Sequence, residues 1–418
     1  MVSRLALGID VGTSGVRCAA LTSEAGIVAI ASADMTEVGK DHRAPSTWRG
    51  ALALAMERLW REVSPSDIGA CAVDATSGTV LAVDEADRPV GRVYMYNDPA
   101  EDPAIPEAIA AAAPRETAGQ GANSGLARAL ALQSEPSIKR VLHQADWIAE
   151  QLSVGPMPSD ESNALKTGYD PVQRAWPDWL ARTGLRPDLL PPVMPCGAVT
   201  GRTGGGFGLP AGLPMVAGVT DGCASFLATG ATRPGDGVSA LGTTLTIKLL
   251  SDRPVFAPEY GIYSHRIGNI WLAGGASNTG GGALAPHFSP DEIAALSDGI
   301  DPAQDSGLDY YPLPRPGERF PNNDPDLQPR LTPRPEDDTA FLHGLLEGIA
   351  RIEAEGYARL AELGAPALTS IRTVGGGAAN TIWTEMRQRV LGVPTAQVAS
   401  DAAAAGVARL ALPHLAPA

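Results

Sequence analysis

Short apolar runs separated by glycine- or hydroxyl-rich turns recur in the first part of the chain. The segment LALGIDVGTSGVRCAALTS holds two such runs joined by residues 12–15. It predicts a β-hairpin, because glycine permits a tight turn. GIVAIASAD predicts a third strand. From Ser46, taken as the N-cap, a helical face follows at Trp48, Leu52, Ala55, Met56 and Leu59.

The pattern of a strand followed by a turn returns in three further segments. IGACAVDATSGTVLAVDEADRP predicts two strands with a bend at Asp74 to Gly78. MVAGVTDGCASFLATGA predicts a strand, a turn at residues 220–222 and a helix. GDGVSALGTTLTIKLLS then predicts a hairpin with its turn at residues 242–244. The second hairpin copies the plan of the first, which is typical of a fold with two similar halves around a cleft.

The C-terminal part combines a long helix with a glycine turn. Apolar spacing predicts a helix over Asp338–Leu363, capped by Asp338 and ended by Gly364. SIRTVGGGAANTIWTEMRQRVLG predicts a strand, a triple-glycine turn and a helix, and a last helix follows Asp401. The proline-rich residues 307–335 predict an irregular excursion inside the second half.

Length and charge narrow the possible functions. The 418 residues suffice for two or three packed units. Hydrophobic residues make up 44% and charged residues 19%, which is typical of a globular protein. The net charge of −15 disfavours nucleic acid and anionic membranes as partners.

Cysteine usage and hydropathy suggest a cytoplasmic protein. The four cysteines are far apart and form no C-x-x-C pair, so neither a disulfide framework nor a zinc site is expected. No apolar run approaches the roughly 18 residues that a membrane span requires. We therefore expect no membrane partner.

Three glycine-hydroxyl turns, at residues 12–15, 242–244 and 375–377, are the strongest chemical signal. Such turns leave N–H groups free and allow close approach by a phosphate. The chain has no G-x-x-x-x-G-K-[ST] motif, and residues 375–380 match a dinucleotide fingerprint only in part. The turns therefore predict polyphosphate binding by an acidic protein.

In their order and spacing, four segments resemble the FGGY carbohydrate kinases of the actin, hexokinase and Hsp70 superfamily: GIDVGTSGVR, AGVTDGCASFLATGA, SALGTTLTIK and VGGGAANTIWTEMRQRVLGVP. The similarity covers essentially the whole chain. Further segments are most similar to the D-ribulose kinases of cyanobacteria and plants: DATSGTVL, QADWIAEQL, NALKTGYDP, GIYSHRIG, GGASNTGGG and SGLDYYPLPRPGERFP.

The resemblance implies an α/β protein with two ribonuclease-H-like domains around a central cleft. The sugar-binding domain would comprise residues 1–228 and 402–418, and the nucleotide-binding domain residues 229–401. Asp221 would be the catalytic base, with the N-cap of a helix as the alternative role. Asp10 would lie near Mg²⁺ and the transferring phosphate, with a solvated strand end as the alternative.

The resemblance also implies contacts with ATP. Gly12, Thr13 and Ser14 would face the γ-phosphate from the first half, and Gly242 and Thr243 would face the phosphates from the second. The nucleoside would lie against the turn that includes Gly376, Gly377 and Asn380. Trp383 would line the purine pocket, although burial in the core is the more common state of such a tryptophan.

Sugar recognition would involve Ser77 and Gly78 together with Asp10 and Asp221. Stabilisation of the bend is the alternative role for Ser77, and Lys166 is left out as a solvated charge. The chain departs from the family at ANSGLARALAL, which has Arg128 where a lysine followed by tryptophan is frequent. This departure puts any sugar contact carried over from that region in doubt.

The expected reaction is transfer of the γ-phosphate of ATP to a ketopentose, D-ribulose first. Two alternatives are a kinase for another ketose or polyol, such as D-xylulose, and a nucleotide-dependent regulatory protein with weak ATPase activity. ATP and Mg²⁺ are the expected cofactors, because a polyphosphate requires charge neutralisation.

Overall fold

A computed structural model describes residues 4–415. Sixteen strands are numbered in chain order. They are β1 Leu5–Val11, β2 Gly15–Leu21, β3 Ile27–Asp34, β4 Ile68–Ala75, β5 Val80–Val83, β6 Pro89–Tyr94, β7 Arg140–His143, β8 Ser159–Asp160, β9 Val193–Met194, β10 Val199–Arg202, β11 Pro214–Thr220, β12 Asp236–Leu241, β13 Leu245–Ser251, β14 His265–Ile267, β15 Ile270–Ala276 and β16 Ser370–Val374.

The α-helices are numbered in the same way. They are α1 Pro45–Leu59, α2 Ala104–Ala112, α3 Gly125–Leu132, α4 Gln144–Leu152, α5 Trp179–Arg182, α6 Asp221–Ala228, α7 Gly281–Leu284, α8 Pro290–Ser297, α9 Asp338–Glu362, α10 Thr381–Leu391 and α11 Ala403–Ala411. None of the helices in residues 4–415 is long and apolar enough to span a bilayer.

The chain divides into two compact units. The first contains the residues up to Gly230, the short segment His265–Asn269 and the residues from Ser400 onward. The second contains Ala231–Ser264 and Ile270–Ala399. The short segment belongs to the first unit although both its neighbours belong to the second, and no pattern in the sequence indicated this.

The first unit is built on a six-stranded sheet of order β10-β11-β4-β1-β2-β3. Strands β1, β2 and β3 form an antiparallel meander, β4 pairs in parallel with β1, and β11 pairs in parallel with β4. All seven residues of β1 are buried, as expected for a continuous apolar run in the centre of a sheet. The predicted hairpin and third strand are confirmed.

The second unit repeats this strand plan. Strands β15, β13 and β12 form an antiparallel meander, and β16 pairs in parallel with β12. The order β15-β13-β12-β16 therefore corresponds to β3-β2-β1-β4 of the first unit. The duplication that the two hairpins predicted is present in the structure. Helix α9 packs its apolar face on this sheet, and residues 307–335 form no α-helix or ladder strand.

Three local predictions were wrong. Helix α1 begins at Pro45 after the N-cap Ala44, two residues earlier than a cap at Ser46 would allow, because proline is favoured in the first helical turn. Asp337 caps α9 by accepting hydrogen bonds from the N–H groups of Thr339 and Ala340, so Asp338 is not the cap. Asp74 lies inside β4 and the bend begins only at Thr76.

Helix α11 lies directly on β1 at Gly8. A Cβ atom at Gly8 would lie 1.9 Å from the carbonyl oxygen of Ala404. The same helix meets α6 at Gly406, where a Cβ atom would lie 1.8 Å from the carbonyl oxygen of Ala224. Because side chains alternate along a strand, Gly8 and Asp10 share one face of β1. This packing therefore brings the start of α11 to the face that carries Asp10.

We predict that Gly8→Ala destabilises the fold by about 3 kcal/mol or more, since the added methyl group meets backbone atoms that cannot yield. Gly155→Ala is the matched control, because a Cβ atom there would have nothing within 4 Å. Urea unfolding of both variants gives the measurement. Equal stability of the two variants would contradict this account of the packing.

Candidate active site

An open pocket of about 710 Å³ lies in the first unit. Its size falls within the roughly 300–1,000 Å³ typical of small-molecule sites. Residues from the ends of β1, β4 and β11 and from the start of α11 line it. They are Asp10, Gly12, Thr13, Ser14, Arg17, Thr76, Ser77, Tyr96, Lys166, Asp221, Ser225, Asp401, Ala402 and Ala403.

Asp10 is a buried carboxylate at the end of β1, only 4% exposed. Arg17 on β2 donates to its Oδ2 at 3.4 Å. Burial raises the pKa of Asp10 above its usual range, and the negative charge of Asp221 adds to this while Arg17 opposes it. Asp10 and Asp221 both line this pocket, so their charges act on each other.

Asp74 is a third carboxylate of this cluster, and the sequence reasoning missed it. It is fully buried and lies opposite Asp10 in the parallel β1–β4 pair. Burial, followed by the charge of Asp10, raises the pKa of Asp74 well above its usual range. A lone carboxylate at the end of the apolar run IGACAVDA was the available signal, the same one that identified Asp10.

Asp221 begins helix α6 directly after β11. Thr220 occupies the N-cap position, so the alternative of Asp221 as the N-cap is excluded by the helix boundary. The carboxylate accepts a hydrogen bond of 2.7 Å from the N–H of Gly222 and faces the pocket. A carboxylate held in this way can accept a proton from a hydroxyl group in the pocket.

The bend after β4 forms another wall. Gly78 has φ +86°, a conformation that favours glycine. The Oγ atom of Ser77 is buried and has no hydrogen-bond partner among the described residues, although Ser77 lines the pocket. A ligand hydroxyl would satisfy this atom. Lys166, which the sequence reasoning left out, and Tyr96 and Asp401, which it missed, line the same pocket.

The tip of the first hairpin lies at the pocket as well. The N–H of Gly12 donates to the carbonyl of Gly15 at 3.0 Å and closes the turn. Thr13 and Ser14 are exposed at the tip. Their hydroxyl groups and the backbone N–H groups of the turn are donors that suit an anion.

The second unit carries the other two glycine turns. Gly242, Thr243 and Thr244 are all exposed between β12 and β13. The residues 280–282, missed in the sequence, fold against this turn: the N–H of Gly281 donates to Gly242 O at 2.8 Å. The N–H of Gly282 donates to Thr243 O at 2.9 Å. Two glycine-rich backbones thus lie together, and the GGASNTGGG segment was the signal for the second.

The turn after β16 is tightly packed at Gly377 and open at Gly376. Gly375 has φ +85°, and a Cβ atom at Gly376 would meet nothing within 4 Å. A Cβ atom at Gly377 would lie 2.7 Å from the ring of Trp383. Asn380 caps α10 by accepting from the N–H of Trp383, and its amide donates to Ser297 Oγ at 2.8 Å.

Trp383 is a core residue in this structure. Only 3% of it is exposed, and its indole N–H donates to the carbonyl of Leu346 at 3.0 Å. The ring packs against the turn at Gly377 and belongs to the apolar core of the second unit. Burial in the core, the alternative considered for Trp383, therefore describes this side chain.

The residues of the pocket fit a magnesium ion that phosphates and water would largely coordinate. Within residues 4–415, no group of three or more His, Cys, Asp or Glu side chains is arranged to hold a metal ion. Mg²⁺ commonly takes only one or two protein carboxylates and completes its shell with water and substrate phosphates. Asp10 is a carboxylate of this kind, beside the donors of the hairpin tip.

Comparison with known proteins agrees with the geometry. The N-terminal domain of the FGGY family of carbohydrate kinases matches residues 5–228, and the C-terminal domain of that family matches residues 237–413. The chain belongs to the FGGY family. Kinases of this family are phosphotransferases that use ATP and Mg²⁺.

Two relatives and one solved structure show the range of similarity. The autoinducer-2 kinase of Yersinia enterocolitica is 29% identical over 63% of this chain, and the match spans 55% of that kinase's own length. The xylulose kinase of Escherichia coli is 26% identical over 92% of this chain and 84% of that one. The structure of xylulose kinase from Rhodospirillum rubrum superposes with a TM-score of 0.81 at 23% identity, covering 98% of this chain and 89% of that one.

These findings confirm the two-domain α/β FGGY fold but do not establish the predicted D-ribulose branch. The relatives are named as xylulose and autoinducer-2 kinases, so the resemblance to D-ribulose kinases is supported only as far as the family. The alternative of a regulatory nucleotide-binding protein loses its support, because both halves match a carbohydrate kinase family.

The raised pKa of Asp74 predicts that this carboxyl lowers the free energy of unfolding of this FGGY protein as the pH rises. A carboxyl with a raised pKa in the folded state favours folding below its ordinary pKa of 3.8 and loses that contribution as pH rises through the folded pKa. Asp74→Asn removes the titration, so its stability relative to wild type should increase from pH 5 to pH 8. Urea unfolding at the two pH values measures this, with exposed Asp178→Asn as the matched control. A difference that is the same at both values would contradict the prediction.

Proposed function

We propose that the protein transfers the γ-phosphate of ATP to a hydroxyl group of a ketopentose, with D-ribulose as the first candidate. The observation that supports this most is the pocket of the first unit, where the carboxylates of Asp10 and Asp221 lie with the unpartnered hydroxyl of Ser77. A polyhydroxylated ligand offers a proton to one carboxylate and a hydrogen bond to Ser77 in the same pocket.

Asp221 is the proposed base. Its carboxylate accepts the proton of the attacking hydroxyl as the oxygen approaches the γ-phosphorus, and the bond from phosphorus to the ADP oxygen breaks. The hydrogen bond from the N–H of Gly222 orients the carboxylate towards the pocket.

Asp10 is the proposed residue at the metal and the transferring phosphate. Mg²⁺ supplies charge neutralisation to the polyphosphate when it is bound. Arg17 lies 3.4 Å from Asp10 and offsets part of the cost of burying its charge. The donors of Gly12, Thr13 and Ser14 are proposed to orient the γ-phosphate.

The second unit is the proposed site of ATP. Gly242 and Thr243, exposed between β12 and β13, would bind the phosphates through their N–H and hydroxyl groups. The open backbone at Gly376 and the neighbouring Gly377 would lie against the nucleoside. Asn380 and Trp383 hold this turn through the helix cap and the core, so their proposed contribution is to its shape.

The sugar is proposed to contact Ser77 and Gly78. D-ribulose is favoured by the resemblance of the segments DATSGTVL and NALKTGYDP to D-ribulose kinases, and these segments contribute Thr76, Ser77 and Lys166 to the pocket. D-xylulose is the second candidate, favoured by the 26% identity with the xylulose kinase of Escherichia coli.

A coupled ADP-release assay tests the function and its substrate. The panel contains D-ribulose, L-ribulose, D-xylulose, glycerol and no sugar, each with Mg-ATP. We expect strong stimulation by D-ribulose. A preference for D-xylulose would make it the proposed substrate in place of D-ribulose and leave the proposed mechanism unchanged. ATP hydrolysis that no sugar stimulates would contradict the proposed function.

The role of Asp221 gives a second prediction. Asp221→Asn keeps the size of the side chain but removes the base, so kcat should fall by about 10²–10⁴-fold with little change in the KM of the sugar. Asp178→Asn, at an exposed site outside the pocket, is the control for the same chemical change. An Asp221→Asn enzyme that keeps more than about a tenth of the wild-type kcat would rule out this role.

A further inference from the structure

Arg128 is a fully buried arginine that binds three backbone carbonyls. It lies in the middle of α3 and is 0% exposed. Its Nε donates to Asp98 O at 2.7 Å, its Nη1 to Gly78 O at 2.6 Å and its Nη2 to Tyr96 O at 2.5 Å. All three nitrogens of the guanidinium group therefore have backbone partners.

The charge of Arg128 is not balanced by a direct ion pair. Within the described part of the chain, no carboxylate lies within 4.0 Å of its guanidinium group. The carboxylate of Asp98, whose charge acts on Arg128, is instead engaged by Arg43 and by the N–H of Met95. A buried cation held only by neutral carbonyl groups is costly to the fold. This cost suggests that the three contacts have a use beyond packing.

The three carbonyls belong to two segments that form one wall of the pocket. Gly78 ends the Thr76–Gly78 bend, of which Thr76 and Ser77 line the pocket, and Tyr96 lines it from the segment after β6. The fit is tight, since a Cβ atom at Gly78 would lie 3.0 Å from Nη1 of Arg128. Arg128 itself does not line the pocket. It binds the rear of the wall that carries the unpartnered Ser77 hydroxyl.

Thr79 makes a further connection between the two segments, beside the β5–β6 pairing of Val80 with Tyr94. Its Oγ1 accepts a hydrogen bond of 3.1 Å from the N–H of Tyr96 and lies 2.6 Å from Oγ1 of Thr76. This hydroxyl and the guanidinium group of Arg128 thus add to the backbone pairing in holding the bend beside Tyr96. The planar fork of an arginine can reach three carbonyls at fixed angles, which a lysine ammonium cannot do.

We propose that Arg128 is a positioning residue for sugar binding, which sets the distance between the Ser77–Gly78 bend and Tyr96. This inference rests on the proposed function. Loss of the fork frees both segments, and misplacement of a binding group by about 1 Å is enough to weaken the bound geometry strongly. The sugar should therefore bind less tightly, whereas ATP, proposed to bind the second unit, should be unaffected.

The test measures KM for the sugar, KM for Mg-ATP and kcat in Arg128→Met and Arg128→Lys, with the panel sugar that stimulates wild-type ADP release most. Arg128→Met keeps the apolar stem and removes every donor. We expect its sugar KM to rise about tenfold or more while its Mg-ATP KM stays within about twofold of wild type. Arg128→Lys should show a smaller rise in the sugar KM.

Arg140→Met is the matched structural control. Arg140 on β7 is also largely buried and also donates three hydrogen bonds, to Glu150 and Asp87, but none of these partners lines the pocket. Its loss should lower the melting temperature without raising the sugar KM. A merely structural role for Arg128 would give the same result as this control.

The outcomes separate the inference from the proposed function. If no sugar stimulates the wild-type enzyme, the proposed function fails, and this is seen without any variant. If wild type responds and folded Arg128→Met keeps a sugar KM within about twofold, only the role of Arg128 is overturned. An equal rise in Arg140→Met would overturn it as well. If Arg128→Met does not fold, the sugar KM of Arg128→Lys is used instead, and a value within about twofold of wild type overturns the role of Arg128.

Discussion

The close contact of α11 with β1 is the constraint on which the first unit depends. Gly8 and Gly406 let the backbone of this helix approach β1 and α6 at distances that any side chain would prevent. A third glycine, Gly218, lies where β11 shifts its register against β4, and a Cβ atom there would lie 1.8 Å from Val73 O. These contacts fix the end of β11, and hence Asp221, relative to Asp10. The geometry of the pocket is therefore set by backbone packing.

The same packing places negative charge where burial makes it costly. Asp10, Asp74 and Asp221 come from neighbouring strand ends, and burial raises the pKa values of the first two. A cluster of this kind reduces stability unless cations reach it. In the proposed reaction, the partners are a metal ion and the protons of a sugar, so the cost in stability is part of how the site works.

Local signals in the sequence predicted the turns and the strand ends. Glycine followed by hydroxyl residues identified the tips at residues 12–15 and 242–244, because a tight turn needs particular residues at adjacent positions. The duplicated hairpins likewise predicted the repeated strand plan. Asp10 was identified because a carboxylate ending an apolar strand is conspicuous.

The rest of the candidate site depends on contacts between residues that are distant in the sequence. Asp401 reaches the pocket from the far end of the chain, and Arg128 takes its carbonyl partners from two separate segments. Neither arrangement leaves a local pattern. For Trp383 the local pattern was misleading. Its place in a glycine-turn motif suggested a ligand contact, but the packing of α10 against α9 buries the side chain.

The central claim is that the pocket of the first unit holds the sugar with Asp221 at the reacting hydroxyl. A crystal structure with D-ribulose, Mg²⁺ and a non-hydrolysable ATP analogue tests it most directly. We predict one sugar hydroxyl within roughly 2.6–3.2 Å of the Asp221 carboxylate and another at Ser77 Oγ. A sugar bound away from these residues, or one with no hydroxyl near Asp221, would contradict the account.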